Sequence, residues 1–309
     1  MSSVDTTERG TAASPPLTRR TFLLGAVTTI PLLRPSGLAS IMALPSLDSA
    51  ERFTDIEYRS GGRLGVAALD TANGRQLDYR SDDLFPMCST FKFLAAAATL
   101  KRVDDDRERL ERNVSYSEKD LLEYAPITKQ HVTEGSLTVA ALCAAAIEYS
   151  DNTAGNLLLR GLGGPAGITH FARSIGDTVT RLDRTEPTLN TALPNDPRDT
   201  TTPDAMLHDL EAILLGAVLS VASKQNLIGW LVANTTGAAR LRAGVPSTWR
   251  VGDKTGTGAR GASGDVAIMW PLGRKPVLVA TYLTETGATA AQCSAVLRDI
   301  GRVVAETFA

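Results

Sequence analysis

Between Thr54 and Tyr79 apolar and polar residues alternate in short runs, and beyond Ser89 the chain changes to longer apolar stretches. Thr54–Tyr58 and Arg63–Asp70 predict strands, and Thr71-Ala72-Asn73-Gly74 predicts a turn into a third, Arg75–Tyr79. Asn-Gly supplies the positive φ angles that a tight hairpin demands. Phe91-Lys92-Phe93-Leu94 and Ala95–Ala98 contain no Gly, Pro or β-branched residue, which predicts a helix from about Ser89. Thr138–Tyr149, Thr153–Leu162, Gly167–Ile175, Pro203–Leu215 and Ser223–Ala233 read as further helices. Asp183–Thr202 differs: Pro187, Pro194 and Pro197 among polar residues exclude a regular element. The strand pattern returns at Trp249–Asp253, Asp265–Trp270 and Pro276–Leu283, and Ala288–Thr307 closes the chain as a helix. Strands at both ends and helices between them predict an α/β (α+β) fold. An antiparallel sheet lobe with flanking helices would be built from both termini, about 50–85 and 235–309. An all-helical lobe, about 86–234, would be inserted in the middle.

The first forty residues read as an address. Residues 1–17 carry no apolar period. Thr18-Arg19-Arg20-Thr21-Phe22-Leu23 then leads an apolar stretch to Leu33. A basic pair before a short apolar run predicts an export signal of the twin-arginine type. A membrane anchor is the competing reading. It needs about 20 apolar residues, whereas Thr21–Leu33 holds 13 and is interrupted by Pro31. Gly37-Leu38-Ala39 offers a small-x-small cleavage site, and no Cys follows that could carry a lipid. The expectation is a leader over 1–40, removed by the export machinery, and a monomeric catalytic domain over 41–309. That domain would have no membrane span and would work in the periplasm or as a secreted protein.

Composition narrows the chemistry. With 43% hydrophobic and 21% charged residues in 309, disordered and collagen-like classes are excluded. Lys+Arg number 32 against 34 Asp+Glu, no basic run exists, and aromatics are 5%, so a nucleic-acid partner is not expected. The leader carries Arg9, Arg19, Arg20 and Arg34 against Asp5 and Glu8, so the remainder is more acidic than the whole. Binding of an anion would then rest on local cations and not on global charge. Cys88, Cys143, Cys293, His131, His170 and His208 show no metal-ligand spacing, so neither a metal nor another cofactor is expected.

Four short motifs remain. Ser89-Thr90-Phe91-Lys92 is S-x-x-K, Ser150-Asp151-Asn152 is S-D-N, Lys254-Thr255-Gly256 is K-T-G, and Glu186-Pro187-Thr188-Leu189-Asn190 is E-x-x-L-N. S-x-x-K alone arises by chance about once in a chain of this size, and S-D-N alone is a common helix-cap triplet with Ser as N-cap. Their placement adds weight. Ser and Lys three apart at a helix start share one face, near unpaired backbone N–H groups that suit an oxyanion. A serine hydroxyl needs a neighbouring base to become nucleophilic. Lys92 lies in an apolar run, and a buried lysine must be paired or neutralised.

Together the motifs resemble those of class A serine β-lactamases, for which S-x-x-K, S-D-N and K-T-G are a known signature. The resemblance runs from about residue 50 to the C-terminus. It includes Ser117–Tyr124 and, most specifically, Arg184-x-Glu186-Pro187-x-x-Asn190 continuing to Pro194-Asn195-Asp196-Pro197-Arg198-Asp199-Thr200-Thr201, which is similar to the family's Ω-loop. It implies hydrolysis of penicillin- and cephalosporin-type lactams, and hence antibiotic resistance. Ser89 would attack the lactam carbonyl, with the backbone N–H groups of Ser89 and Thr257 holding the oxyanion. Lys92 and Glu186 are the alternative bases for acylation. Glu186 would activate the deacylating water, which Asn190 helps position, and Ser150 would pass a proton to the lactam nitrogen. Asn152 would bind the substrate's side-chain amide, with Tyr124 also on the substrate side. Lys254, Thr255 and Thr257 would receive its carboxylate. Arg184 and Asp199 would pair across the neck of the loop.

Two departures follow from the same resemblance. The arginine that many members carry after K-T-G is Ser263 here. Arg240, in Gly237-Ala238-Ala239-Arg240, resembles the substitute used by another branch; the alternative is a surface charge. Cys88 would face Gly258, and Cys143 would face Ala96, so neither disulfide known in the family would form. A D-Ala-D-Ala carboxypeptidase or penicillin-binding protein shares three of the motifs but lacks the loop glutamate. A covalent β-lactam sensor would need a membrane segment.

Overall fold

The computed structural model describes residues 47–309; the twin-arginine pattern and the Gly37–Ala39 cleavage site lie outside the described residues. α1 (Leu47–Ser60) leads into β1 (Arg63–Asp70) and β2 (Arg75–Tyr79), which form an antiparallel hairpin. Its turn ends on Gly74 at φ 77°, where a side chain would be strained. A two-residue strand β3 (Phe85–Pro86) precedes α2 (Phe91–Asp104). β4 (Asn113–Ser115) and β5 (Ser136–Thr138) pair as a small ribbon, followed by α3 (Val139–Glu148), α4 (Asn152–Gly161) and α5 (Pro165–Ser174). β6 (Thr200–Thr201) returns to pair with β3, and α6 (Pro203–Leu214), α7 (Val221–Val232) and the short α8 (Leu241–Gly244) follow. β7 (Arg250–Thr257), β8 (Ser263–Trp270), β9 (Val277–Thr284) and α9 (Ala290–Phe308) complete the chain.

The five long strands form one antiparallel sheet in the order β2-β1-β9-β8-β7. Both termini of the described chain therefore build it, and β7, which carries K-T-G, is an edge strand. β1 shows how the sheet is covered on both faces. Leu64, Val66 and Ala68 pack with Phe53 of α1 and Ile300 and Val304 of α9, while Ala67 and Leu69 join the core that holds α2 and α6. Side chains alternate between faces with period 2, so a strand buried on both sides reads as a continuous apolar run. Each Leu, Ile or Phe side chain buried this way contributes about 1.5–3 kcal/mol.

α2 is enclosed from Phe91 to Leu100, with α3, α4, α5 and α7 packed around it. Ala95–Ala98 are nearly without exposure, and their small side chains let the surrounding helices approach. The fold class agrees with the sequence reading, with one local correction. Thr54–Tyr58 lies inside α1 and is not a strand. Phe53 and Ile56, three apart, are the buried positions there, and helical spacing puts them on the face that meets the sheet and α9. Asp183–Thr202 is largely irregular, apart from a 3₁₀ turn at Thr188–Thr191 and β6 at its end.

Candidate active site

Ser89 lies in the 3₁₀ turn Cys88–Thr90 that opens α2, and Lys92 follows one turn later. Two close approaches frame them. A Cβ on Gly256 would stand 2.6 Å from the Met87 carbonyl oxygen, so only glycine lets β7 run against the turn. A Cβ on Gly155 would stand 2.8 Å from Lys92 Cε, so α4 lies against the lysine stem.

The Lys92 ammonium is fully buried and ringed by oxygens. Nζ donates to Ser89 Oγ at 2.8 Å, to the Ser150 carbonyl at 2.9 Å and to Asn152 Oδ1 at 2.6 Å, and lies 2.9 Å from Glu186 Oε1. Ser89 Oγ donates to that same Glu186 oxygen at 2.8 Å. Hydroxyl, amine and carboxylate thus form a triangle in which a proton leaving Ser89 meets an acceptor without any side chain moving. Burial pushes the Lys92 amine below its ordinary value, and the charge of Glu186 opposes that shift. The helix cap that S-D-N taken alone would put at Ser150 is made by Asp151, the N-cap of α4, which accepts from Ala154 N at 2.8 Å. Ser150 instead stands at φ 56°, with its hydroxyl 3.0 Å from Lys254 Nζ and 3.4 Å from Lys92 Nζ.

Glu186 is positioned by its own loop and by α4. Asn190 Nδ2 donates to Glu186 Oε2 at 2.5 Å. Asn156 grips the Glu186 backbone from α4, accepting from its N–H at 3.0 Å and donating to its carbonyl at 2.9 Å. At the neck, Arg184 Nε donates to Asp199 Oδ2 at 2.5 Å, while Asp199 Oδ1 accepts from the N–H groups of Asp183 and Arg184. The Glu186–Pro187 peptide is cis.

Cations line the other side, Lys254 from β7 and Arg240 from the start of α8. Lys254 is fully buried and donates to Ser150 Oγ and to the Thr255 carbonyl. Burial, reinforced by nearby Lys92, holds its amine well below the usual lysine range. Arg240 is buried, which removes the surface-charge alternative. Its Nη1 donates to the carbonyls of Gly256 and Gly264 at 2.7 Å each, and its Nη2 to Thr257 Oγ1 at 2.6 Å. Ser263 sits opposite Thr257 in the β7–β8 register. Thr257 and Tyr124 are exposed, and the Tyr124 carbonyl accepts from Asn152 N at 3.0 Å.

Ser89, Lys92, Ser150, Asn152, Glu186, Asn190 and Lys254 therefore form one connected hydrogen-bond network. A cleft of about 630 Å³ lined by Arg63, Asp83, Leu193 and Glu285 contains none of them. Three members of the surroundings escaped the sequence reading. Asn156 had no signal, since it acts on the Glu186 backbone thirty residues away in sequence. Asp151 also accepts from the N–H groups of Ile127 and Thr128 and from the Thr128 hydroxyl, tying the turn over 126–130 to the start of α4. Thr236, whose hydroxyl lies 2.5 Å from that of Thr255, had no signal, since its partner is distant in sequence. The three cysteines are buried and free, and a Cβ on Gly258 would stand 2.6 Å from Cys88 Sγ.

The family model described as the β-lactamase enzyme family matches residues 48–308. The β-lactamase CTX-M-8 of Citrobacter amalonaticus is 49% identical over 261 residues, covering 84% of this chain and 89% of its own. The β-lactamase OXY-2 of Klebsiella oxytoca is 46% identical over 93% of this chain and 97% of its own. Among solved structures, an ancestral class A β-lactamase is 59% identical with a TM-score of 0.83, covering 84% of this chain and 100% of that one. A class A relative from Rhodopseudomonas palustris is 56% identical with a TM-score of 0.82, covering 84% and 99%. The chain belongs to the β-lactamase enzyme family, and these relatives put it in class A.

Proposed function

We propose that this chain performs the family's β-lactam hydrolysis through a Ser89 acyl-enzyme that Glu186 deacylates. The observation that carries this reading is the triangle of Ser89 Oγ, Lys92 Nζ and Glu186 Oε1, with every edge at 2.8–2.9 Å. Ser89 Oγ adds to the lactam carbonyl carbon, and its proton passes to Glu186 or to Lys92. The backbone N–H groups of Ser89 and Thr257 hold the oxyanion. The ring C–N bond then breaks, and its nitrogen takes a proton from Ser150, which is resupplied through Lys92 with the proton that Ser89 gave up, so that Glu186 is a carboxylate again. A water gives a proton to Glu186 and adds to the acyl carbon, and Ser89 leaves with a proton restored. Asn190 orients that water through Glu186. Lys254, Thr255, Thr257 and Arg240 receive the substrate carboxylate, while Asn152 and Tyr124 meet its amide side chain.

Glu186 and Asn190 favour this reading over a D-Ala-D-Ala carboxypeptidase, in which an acyl-enzyme with penicillin would persist. Glu186→Ala decides between them. The expected result is a penicilloyl adduct on Ser89, trapped and visible by mass spectrometry, with turnover lost. Free turnover by that variant would overturn the deacylating role. Ser89→Ala should abolish hydrolysis of a chromogenic cephalosporin.

The same reading takes residues 1–40 as a twin-arginine leader, 41–309 as a monomeric two-lobed domain, and the periplasm or exterior as its workplace. It is supported by the Arg19-Arg20 pattern and by the lack, among the described residues, of a helix long and apolar enough to cross a membrane. Arg19→Lys with Arg20→Lys should leave the β-lactamase activity in the cytoplasmic fraction.

A further inference from the structure

One of the other buried carboxyl groups lies apart from this network and without a donor. Asp209, in the middle of α6, has no exposure, and no N–H or O–H among the described residues reaches either of its oxygens. Asp177, at the end of the α5 turn, stands within hydrogen-bonding range of it. Asp177 Oδ1 accepts from Val179 N at 2.7 Å and Thr180 N at 3.0 Å, while its Oδ2 is equally without a donor. Two carboxylates in contact with no protein donor between them, both buried, suffer desolvation and like-charge repulsion together. Arg173 on α5 does not cancel this. Its Nη1 stands 4.0 Å from Asp177 Oδ1 and donates to the carbonyls of Asp177 and Thr180. Of the other titratable groups around the pair, the Tyr282 hydroxyl on β9 pairs with that of Thr90 at 3.2 Å, and His208, beside Asp209 on α6, turns toward Gly176. β1, β8 and α7 bring apolar residues to this core, among them Ala67, Val266 and Leu227. A single proton resolves the conflict: an Asp209 O–H donating to Asp177 Oδ2 gives both orphaned groups a partner.

The position matters because the turn at Asp177 is where the Ω-loop starts. Thr180 Oγ1 lies 2.6 Å from Thr201 Oγ1, and Arg181 N donates to the Thr200 carbonyl at 3.0 Å. These contacts close the neck of the loop that carries Glu186. We propose that one proton shared by Asp177 and Asp209 fixes the turn at the base of the Ω-loop, making the pair a pH-dependent positioning device for Glu186. The link to Glu186 rests on the deacylating role proposed above; the shared proton does not.

The sign follows from burial, which holds the Asp209 carboxyl well above the usual carboxylate range. An acid raised in the fold keeps a proton that the unfolded chain has released. Its contribution to stability is greatest below the unfolded value, declines as pH rises through the folded value, and is level above it. Asp209→Asn keeps the shape and offers Asp177 an N–H at every pH.

Three measurements on the full chain test this. The infrared spectrum of the wild type should show a protonated-carboxyl C=O band that Asp209→Asn lacks, and titrating the wild type alone should remove that band as pH rises. Between about pH 5 and pH 9 the wild-type Tm should fall relative to that of Asp209→Asn. At the alkaline end the wild type should accumulate several-fold more Ser89 adduct with a penicillin than Asp209→Asn does. Absence of the band in the wild type, or Tm curves that run parallel, overturns the shared proton. A band and a Tm divergence with equal adduct in both proteins overturns the link to the loop. Glu186→Ala, which should hold adduct at every pH, shows separately whether the role of Glu186 has failed.

Discussion

Lys92 and Lys254 share the hydroxyl of Ser150, and both are buried, yet they face different requirements. Lys92 must exchange a proton, and its neighbours are oxygens within 3 Å. Lys254 must stay charged to hold a carboxylate, although its burial favours the neutral form. The alkaline limb of kcat/KM should therefore fall below the pH at which an ordinary lysine titrates. Lys254→Arg, with a guanidinium that stays protonated, should move the KM component of that limb upward. An unmoved limb would assign it to another group. Gly155 tests the Lys92 side. Gly155→Ala places a methyl 2.8 Å from Lys92 Cε, which should cost tenfold or more in kcat while leaving KM for a cephalosporin within about threefold. Arg240→Ala strands the Gly256 and Gly264 carbonyls. It should raise KM and also lower stability by about 1–3 kcal/mol, measured by denaturant unfolding.

At the scale of elements, the four motifs were legible because each sits on a different kind of element and the chemistry requires all of them together. Helices bounded by turn residues were legible too: α3, α4, α6 and α7 match their sequence ranges to within two residues. Thr54–Tyr58 was misread because five residues of mixed polarity fit period 2 as well as period 3.6. Only Phe53 and Ile56 taken with the packing of α9 decide for the helix. S-D-N taken alone would put the cap of α4 at Ser150, because side-chain type cannot separate adjacent Ser and Asp. The tertiary structure does, since Asp151 also satisfies the backbone at Ile127 and Thr128. Asp151→Ala removes these acceptors at once and should cost more than a simple cap, which is worth about 1 kcal/mol. A Tm unchanged from wild type would show that the Ile127 and Thr128 N–H groups find other partners. Asn156 and Thr236 stayed hidden for the opposite reason: their work is done on residues far away in sequence.

For the whole molecule, three free buried cysteines mean that no disulfide contributes to stability. Burial pushes the Cys88 thiol up to about 12 and raises that of Cys143. Since the thiolate is the reactive form, alkylation should be slow in the native protein and fast once it unfolds, and Tm should be the same with and without reductant. A reductant-dependent Tm would point to a bond between chains. The nucleophile and the loop glutamate also share one mount. Phe85 and Pro86 pair with Thr201 and Thr200, and Met87 N donates to the Asp199 carbonyl at 2.9 Å, immediately before Ser89 and at the close of the Ω-loop. A bend of the large sheet should therefore carry both groups together and leave the distance between them unchanged. A substitution in the sheet core can lower the melting temperature without detuning the Ser89–Glu186 distance. Such a mount leaves a lineage free to drift in its scaffold while its chemistry stays aligned.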